Sequence, residues 1–439
     1  MKRLREQSFE CTKSELDLFH TPETQTAILS GKWIELKQEG ALDGDVPVVF
    51  YHAGDGEKYY DLANSYVYFQ VQIVDDKLAA IPANANVAPV DLFLHSMFSQ
   101  LDITENDKLI TQSTNTYPYR AMFETLLNYS QDCKDSFLGA SLYYKDTAGK
   151  MESWGADNIG WTQRKKWSEK SKIFEVFGKL HADIFLQDRL ILNNVSMRIK
   201  LTRQDPKFCL MGEETVKIGT TDTPISYKIK LLNASMFLRQ ASVNPDVLIG
   251  HALALEKTNA KYPIKKVEMK MFNIAAGTST VYQTLTNGIM PLRVVFAMVE
   301  GESYSGKITK NPFNFQHFNL SSVELKINGD SAFSRSKLDF TKGLTLLGYY
   351  SLFTGIDKLH EENNITRDEY NNGYCLFAYD LTSDLCSGAH LDLIEKGSLT
   401  LELTFEKSLI TTVSVVVYLE YQQIIEITKE RDVILDYAI

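Results

Sequence analysis

The stretch Ser65–Ile73 reads SYVYFQVQI and alternates two kinds of side chain along its length. Val67, Phe69, Val71 and Ile73 occupy one set of alternate positions, while tyrosine and glutamine fill the other. Successive side chains of a β-strand point to opposite faces, so the pattern predicts a strand with one buried and one solvated face.

The same two-residue period recurs far along the chain. It is present in Val195–Thr202 (VSMRIKLT), Val323–Ile327 (VELKI) and Leu399–Glu406 (LTLELTFE). The composition agrees, because 22 Tyr and 23 Phe stand against 11 Pro, a balance that favours strands. A hydrophobic fraction of 44% with 23% charged residues excludes a disordered, collagen-like or coiled-coil chain. We predict an all-β fold.

Two segments have helical signals. Thr116–Tyr129 has Pro118 near its start and apolar residues at helical spacing. Asn244–Lys257 starts with an asparagine N-cap followed by Pro245 at the first helical position. Both are predicted to be short helices set in loops, whereas Val90–Ser99 is ambiguous between helix and strand.

The two halves of the chain follow one plan. LDITEND (Leu101–Asp107) is followed by LLNY and later by VSMRIKLT, and LKINGD (Leu325–Asp330) is followed by LLGYY and later by LTLELTF. Asn328–Gly329 predicts a type I′ turn, whereas TENDK (Thr104–Lys108) leaves the matching turn in doubt. The polar stretch Gln204–Pro224 lies between the two series.

A chain of 439 residues accommodates two or three domains. We predict an N-terminal arm over residues 1–30, a first sandwich over 31–215, a second over 216–425 and a C-terminal tail over 426–439.

The charge distribution limits contact with nucleic acid. The net charge of −10 argues against a protein that coats nucleic acid over its whole surface. Trp161–Lys172 (WTQRKKWSEKSK) is locally basic and fits either a nucleic-acid or nuclear-import patch or a solvated loop between strands. The N-terminal MKRLR is a second short basic stretch, which could contact DNA or a neighbouring subunit.

No catalytic constellation is recognisable. Gly301–Ile308 (GESYSGKI) lacks the hydroxyl residue that a P-loop places after its lysine, and His360 has no second histidine four residues on. His95 and His251 lie among apolar residues and are predicted to be hydrogen-bonded core or interface histidines. We therefore predict no enzyme activity, and no catalytic, cofactor-binding or metal-binding residues.

The cysteines and the N-terminus suggest an intracellular protein. The cysteines are dispersed without a CxxC pair, as Cys11, Cys133, Cys209, Cys375 and Cys386. The first residues contain no apolar segment of the kind that a secretory signal needs, so we expect the protein not to be secreted. No segment predicts a transmembrane helix.

Several long segments resemble one known family. They include KTNAKYP (Lys257–Pro263), VEMKMFNIAAGT (Val267–Thr278), MPLRVVFAMVE (Met290–Glu300), KNPFNFQHFN (Lys310–Asn319) and LFLHSMFSQLDIT (Leu92–Thr104). Together with others from about residue 30 to about 420, they resemble the major capsid protein of Polinton (Maverick) elements and the related adintoviruses.

The resemblance implies a double jelly-roll, which consists of two eight-stranded antiparallel sandwiches in tandem. It further implies a homotrimer with a pseudo-hexagonal outline, which tiles an icosahedral shell with neighbouring capsomers and a penton protein. Such a shell encloses double-stranded DNA with at most local contacts, in a virion assembled in the nucleus or cytoplasm of the host cell. Two alternatives stay open: a host-domesticated copy that makes no virions, and a β-sandwich glycan-binding protein or hydrolase.

Overall fold

The computed structural model describes residues 4–218, 220–332, 336–358, 363–385 and 390–435. The strands of the first half are β1 (Ile28–Lys37), β2 (Val48–His52), β3 (Lys58–Asp75), β4 (Val87–Pro89), β5 (Phe98–Glu105), β6 (Lys108–Leu109), β7 (Phe174–Gly178), β8 (Met197–Arg203), β9 (Leu210–Gly212), β10 (Thr215–Ile218), β11 (Thr221–Pro224) and β12 (Tyr227–Val243). Those of the second half are β13 (Ala260–Ile274), β14 (Thr280–Ile289), β15 (Arg293–Glu300), β16 (Leu320–Ile327), β17 (Asp330–Ser331), β18 (Ser336–Lys337), β19 (Leu376–Asp380), β20 (Lys396–Phe405), β21 (Val413–Ile427) and β22 (Val433–Leu435).

Short helices occupy the connections between strands. They are α1 (Phe93–Ser96), α2 (Tyr117–Asn128), α3 (Gln131–Asp135), α4 (Ile159–Ser168), α5 (Pro206–Cys209), α6 (Pro245–Leu255), α7 (Gly301–Ser305), α8 (Leu346–Thr354) and α9 (Arg367–Tyr370). The two predicted helices are confirmed as α2 and α6, and Asn244 caps α6 by accepting a hydrogen bond from Asp246 N. The ambiguous Val90–Ser99 contains the four-residue α1 and the start of β5.

Two sheets form the first sandwich, in the strand orders β1-β12-β3-β7 and β2-β8-β5-β6. The alternation that predicted β3 is observed, because Val67, Phe69, Val71 and Ile73 are all buried. Phe69 of one sheet contacts Phe98 of the other, with ring centroids 5.2 Å apart. The two sheets therefore bury their apolar faces against each other.

The second sandwich repeats this arrangement. Its sheets have the strand orders β13-β21-β15-β19 and β14-β20-β16-β17, and β22 and β18 add a short strand to each. Strands in equivalent positions follow each other in the same chain order in both sandwiches, and all the pairings between them are antiparallel. The all-β double jelly-roll is thus confirmed, and the internal duplication has a structural basis.

The matching hairpins use the same turn. In the second half, Asn328 and Gly329 have φ values of 53° and 92° and connect β16 to β17. In the first half, Asn106 and Asp107 have φ values of 41° and 63° and connect β5 to β6. A two-residue turn with both φ values positive matches the twist of the flanking strands. The TENDK sequence therefore keeps the turn that its lack of glycine had put in doubt.

The division between the sandwiches differs from the predicted one. β12 pairs with β1 and β3, so it belongs to the first sandwich, although the predicted domain 216–425 includes it. The polar segment 204–224 is therefore a connection within the first sandwich rather than between the two. At the other end β22, inside the predicted tail 426–439, pairs with β21. We propose a division after Val243.

Candidate functional site

The two sandwiches meet around α2, which follows the first hairpin in the chain but packs against the second half. All of its residues except the last, Asn128, are buried. Phe123 contacts Phe315 with ring centroids 5.5 Å apart, and the ring of Tyr119 stacks on that of Tyr304 at 5.5 Å. Such aromatic pairs add to the free energy gained by burial. Side chains of α2 thus complete the core of the second half.

A buried ion-pair cluster lies on the same helix. Arg120 Nε donates to Glu124 Oε1 at 2.9 Å, and Arg120 Nη2 donates to Asp183 Oδ1 at 2.6 Å. Asp183 Oδ1 also accepts a hydrogen bond from Val267 N of β13 at 3.1 Å, which connects the cluster to the second sandwich. His181 Nδ1 lies 2.6 Å from Glu124 Oε2.

The electrostatics of this cluster favour an ionised carboxylate. Burial alone would raise the pKa of Glu124, but Arg120 and His181 outweigh it and lower the pKa to about 2. Burial also lowers the pKa of His95, whose Nδ1 lies 2.9 Å from the Tyr117 hydroxyl. The adjacent cavity of about 30 Å³ has room for about one water molecule and none for a substrate.

A second cluster surrounds Arg164, whose side chain is fully buried. Arg164 Nη2 donates to Asp146 Oδ1 at 2.6 Å, and Arg164 Nε donates to the Pro89 carbonyl at 2.8 Å. Asn311 Nδ2 of the second half donates to Asp146 Oδ2 at 2.8 Å. Burial raises the pKa of the neighbouring Asp91 to about 6, against the opposing charge of Arg164.

A third connection between the halves is a buried lysine. Lys134 Nζ donates to the carbonyls of Leu126, at 2.8 Å, and Asn363, at 3.1 Å. Burial, assisted by the charge of Lys145, lowers the pKa of Lys134 to about 7. Buried polar groups with satisfied hydrogen bonds fix the geometry of the elements that they join.

The basic segment Trp161–Lys172 has a role that neither sequence interpretation anticipated. Most of it forms α4, not a loop, and Arg164 faces the buried cluster. Trp161 is buried and donates from Nε1 to the Met211 carbonyl at 3.0 Å, while Lys165 lies 5.0 Å from the Trp161 ring centroid. Arg164 is therefore used inside the fold, whereas Lys166, Lys170 and Lys172 remain exposed.

The remaining sequence candidates are dispersed. Lys307 of the P-loop-like segment pairs with Glu302 at 2.7 Å. His95 is a hydrogen-bonded core histidine as predicted, whereas His251 is exposed, with Nδ1 2.8 Å from the Tyr59 hydroxyl. His360 lies outside the described residues.

The described cysteines are not paired. Cys11, Cys133, Cys209 and Cys375 are free, and Cys386 lies outside the described residues. Burial raises the pKa of the Cys209 and Cys375 thiols, which keeps them protonated and unreactive.

One group of side chains could hold a cation. Ligand atoms of Asp384, His390 and Asp392 lie within 4.8 Å of one another, near the surface. His390 Nε2 is 2.9 Å from Asp384 Oδ2, and Gln422 Nε2 donates to Asp392 Oδ2 at 2.8 Å. These hydrogen bonds already account for the convergence of the three side chains. The sequence offered little signal for the group, because exposed Asp and His residues are common in loops.

Helices α6 and α8 carry exposed apolar side chains that are suited to contacts between chains. On α8, Leu346, Leu347 and Tyr350 are each more than half exposed. On α6, Ile249 and Leu253 are 59% and 63% exposed. Contiguous apolar surface of this kind marks protein–protein contacts. No helix among the described residues is long and apolar enough to span a membrane.

Comparisons with known proteins agree with the fold. No protein-family model matches the chain. An uncharacterized protein of Caenorhabditis elegans is 23% identical over 437 residues, covering 94% of this chain and 99% of that protein. The Sputnik virophage structure matches with a TM-score of 0.68 and 11% identity over 98% of this chain and 93% of that chain.

Two further structures extend the comparison. The PBCV-1 virus capsid matches with a TM-score of 0.61 and 10% identity, over 96% of this chain and all of that one. The mavirus major capsid protein matches with a TM-score of 0.54 and 10% identity, over 99% of this chain and 97% of that one. At these identities the likeness shows the fold alone. The chain is thus similar along almost its entire length to double jelly-roll capsid proteins.

Proposed function

We propose that this protein is a viral major capsid protein. The observation that supports the proposal best is that two jelly-rolls of matching topology occupy nearly the whole chain, as in the Sputnik virophage structure. Three such chains around one axis present six similar sandwiches, which gives a pseudo-hexagonal tile that packs into a shell. The proposal assigns no catalytic step to the protein.

The buried clusters suit this role. The Arg120 and Arg164 clusters hold the sandwiches in a fixed relation, as a tile requires. Exposed apolar patches on α6 and α8 provide contacts between copies. Each contact can be weak, because many of them act together in a closed shell. The net charge of −10 suggests that other molecules neutralise most of the enclosed DNA.

The finer assignment is the Polinton–adintovirus lineage, with a penton protein and neighbouring capsomers as partners and the virion as location. It rests on the sequence segments quoted above. Genes for a packaging ATPase, a protease and a penton protein should flank this gene if the assignment holds.

A host-domesticated copy is the second candidate. The similar nematode protein, matched over 99% of its length, favours this candidate because it belongs to an animal. A domesticated copy would keep the fold and lack the neighbouring virion genes.

The direct test is the size and shape of the purified protein. Light scattering should give about 149 kDa, three times the 49.8 kDa chain, and electron microscopy should show hexagonal tiles or particles. A chain that remains monomeric at every ionic strength and protein concentration contradicts the proposal.

A further inference from the structure

An apolar pocket opens where the two sandwiches are joined by α6. Its cavity of about 550 Å³ lies between the end of β12, helix α6 and the start of β13. The lining includes Leu190, Leu192, Val243, Val247 and Leu255. A cavity of this size falls in the range of ligand sites and has room for several apolar side chains.

The mouth of the pocket is basic. Arg189 and Lys261 line it, and Arg189 is exposed while donating from Nη1 to the Lys261 carbonyl. Lys261 Nζ lies 3.8 Å from Glu426 Oε1 and remains 54% exposed. An apolar interior with cations at its edge is complementary to a segment that carries both apolar and acidic side chains.

The N-terminal arm contains such a segment. Every residue from 4 to 27 is exposed, including Phe9 at 97% and Phe19 at 94%. In Ser14–His20 (SELDLFH), Leu16, Leu18 and Phe19 accompany Glu15 and Asp17. Apolar side chains this large are costly to leave in water, so the arm needs a partner.

The arm starts beside the pocket of its own chain but does not fill it. Asn244 N donates to the Ala27 carbonyl at 2.8 Å, and Ile28 begins β1. Ala27 and Ile28 line the pocket, whereas no residue of Ser14–His20 does, and all of these arm residues are exposed. The ten residues from Leu18 to Ala27 span up to roughly 30 Å when extended, so Ser14–His20 can extend well beyond the attachment point of the arm.

We propose that Ser14–His20 of one copy occupies the pocket of a neighbouring copy. Leu16, Leu18 and Phe19 enter the apolar cavity, and Glu15 and Asp17 face the basic mouth. The arm and the pocket are two different surfaces, so each copy binds the next in a head-to-tail manner. Such contacts close into a ring of three when neighbouring copies are related by a rotation of about 120°. The inference rests on the self-association proposed above and adds its mechanism.

Disulfide trapping between full-length chains tests the exchange. One chain carries Leu18→Cys and a differently tagged chain carries Ala254→Cys in the pocket wall, both with Cys11→Ser to remove the arm's own thiol. After mixing and mild oxidation, we expect a reducible dimer containing both tags. A chain with the exposed Lys407→Cys in place of Ala254→Cys is the matched control and should give at least tenfold less.

Thiol accessibility gives a second readout. Alkylation of Ala254→Cys should be at least tenfold slower with the intact arm than with Leu16, Leu18 and Phe19 changed to serine. A third chain carries both Leu18→Cys and Ala254→Cys. If a disulfide forms only within this chain and never between chains, the pocket binds its own arm and the proposal is overturned. Protection of Ala254→Cys by anionic lipid vesicles but not by the arm would overturn it in favour of lipid.

Parallel light scattering separates the two proposals. If light scattering shows trimers but the Ala254→Cys chain gives no more cross-linked dimer than the Lys407→Cys control, arm exchange is overturned and the capsid role stands. Monomers without a cross-link would overturn both.

Discussion

Glu105 should make the stability of this protein depend on pH. Its carboxyl group ends β5, is 1% exposed, and has no hydrogen-bond partner for Oε2 among the described residues. Burial raises its pKa from 4.5 to about 8. Burial likewise raises the pKa of Tyr60 and Tyr262, and the nearby charge of Glu105 adds to both shifts. The folded protein therefore binds a proton at Glu105 that the unfolded chain releases near pH 4.5.

The sign follows from proton binding. Between pH 4.5 and pH 8 the folded state holds more protons than the unfolded state, so stability falls as pH rises. A difference of one pKa unit corresponds to about 1.4 kcal/mol, so this carboxyl group alone removes roughly 3 kcal/mol between pH 5 and pH 7.5. Glutamine has nearly the same shape and does not ionise.

The assay is urea denaturation of wild type and Glu105→Gln at half-unit pH steps, at equal protein concentration. Asp91 and Lys134 titrate in both proteins, so the difference between the two free energies of unfolding isolates Glu105. Relative to the wild type, the free energy of unfolding of Glu105→Gln should increase by roughly 3 kcal/mol from pH 5 to pH 7.5. The exposed Glu57→Gln should show no such trend, and parallel profiles for wild type and Glu105→Gln would refute the reasoning.

Three further changes should have distinguishable effects. Arg164→Ala leaves buried carboxylates unpaired and should reduce the free energy of unfolding, measured by urea denaturation, by about 3–5 kcal/mol. The control Lys166→Ala, on the exposed face of α4, should change it by less than about 0.5 kcal/mol. Phe123→Ala opens a cavity between the sandwiches and should cost about 3–5 kcal/mol in the same assay. Leu347→Glu on the exposed face of α8 should leave the melting temperature within about 2 °C but reduce assembly seen by light scattering, and unchanged assembly would exclude that face from subunit contacts.

The sequence predicted the strands and helices whose defining residues all lie within the element itself. The alternation is visible because Val67–Ile73 of β3 and Met197–Leu201 of β8 each have one apolar face. Helix α6 was predictable because Asn244 and Pro245 set its start within the sequence itself. The fold class followed from these signals, and the tandem arrangement from their repetition.

Elements that depend on distant partners were not predictable. The basic segment hides α4 because the residue at the centre of its buried face is Arg164, whose partners Asp146 and Pro89 lie 18 and 75 residues away. Sheet membership of β12 depends on β1 and β3, more than 150 residues earlier, so the polar stretch before β12 predicts a domain boundary that the strand pairing does not support. The pocket is likewise assembled from separate stretches of the chain.

The connections between the sandwiches make them one rigid unit, as the proposed capsid role requires. Helix α2 fills the core of the second half, and the Arg120 and Arg164 clusters each end on a group of that half, Val267 N and Asn311 Nδ2. Rotating one sandwich against the other would expose ionised groups and apolar surface together, so a hinge here would be costly. A rigid tile lets weak contacts on its separate edges be made simultaneously, because no binding energy is spent on fixing the angle between the sandwiches. An exchanged arm would add a further contact to each edge, because an arm that is exposed in one copy can enter the neighbouring pocket once the sandwiches are in place.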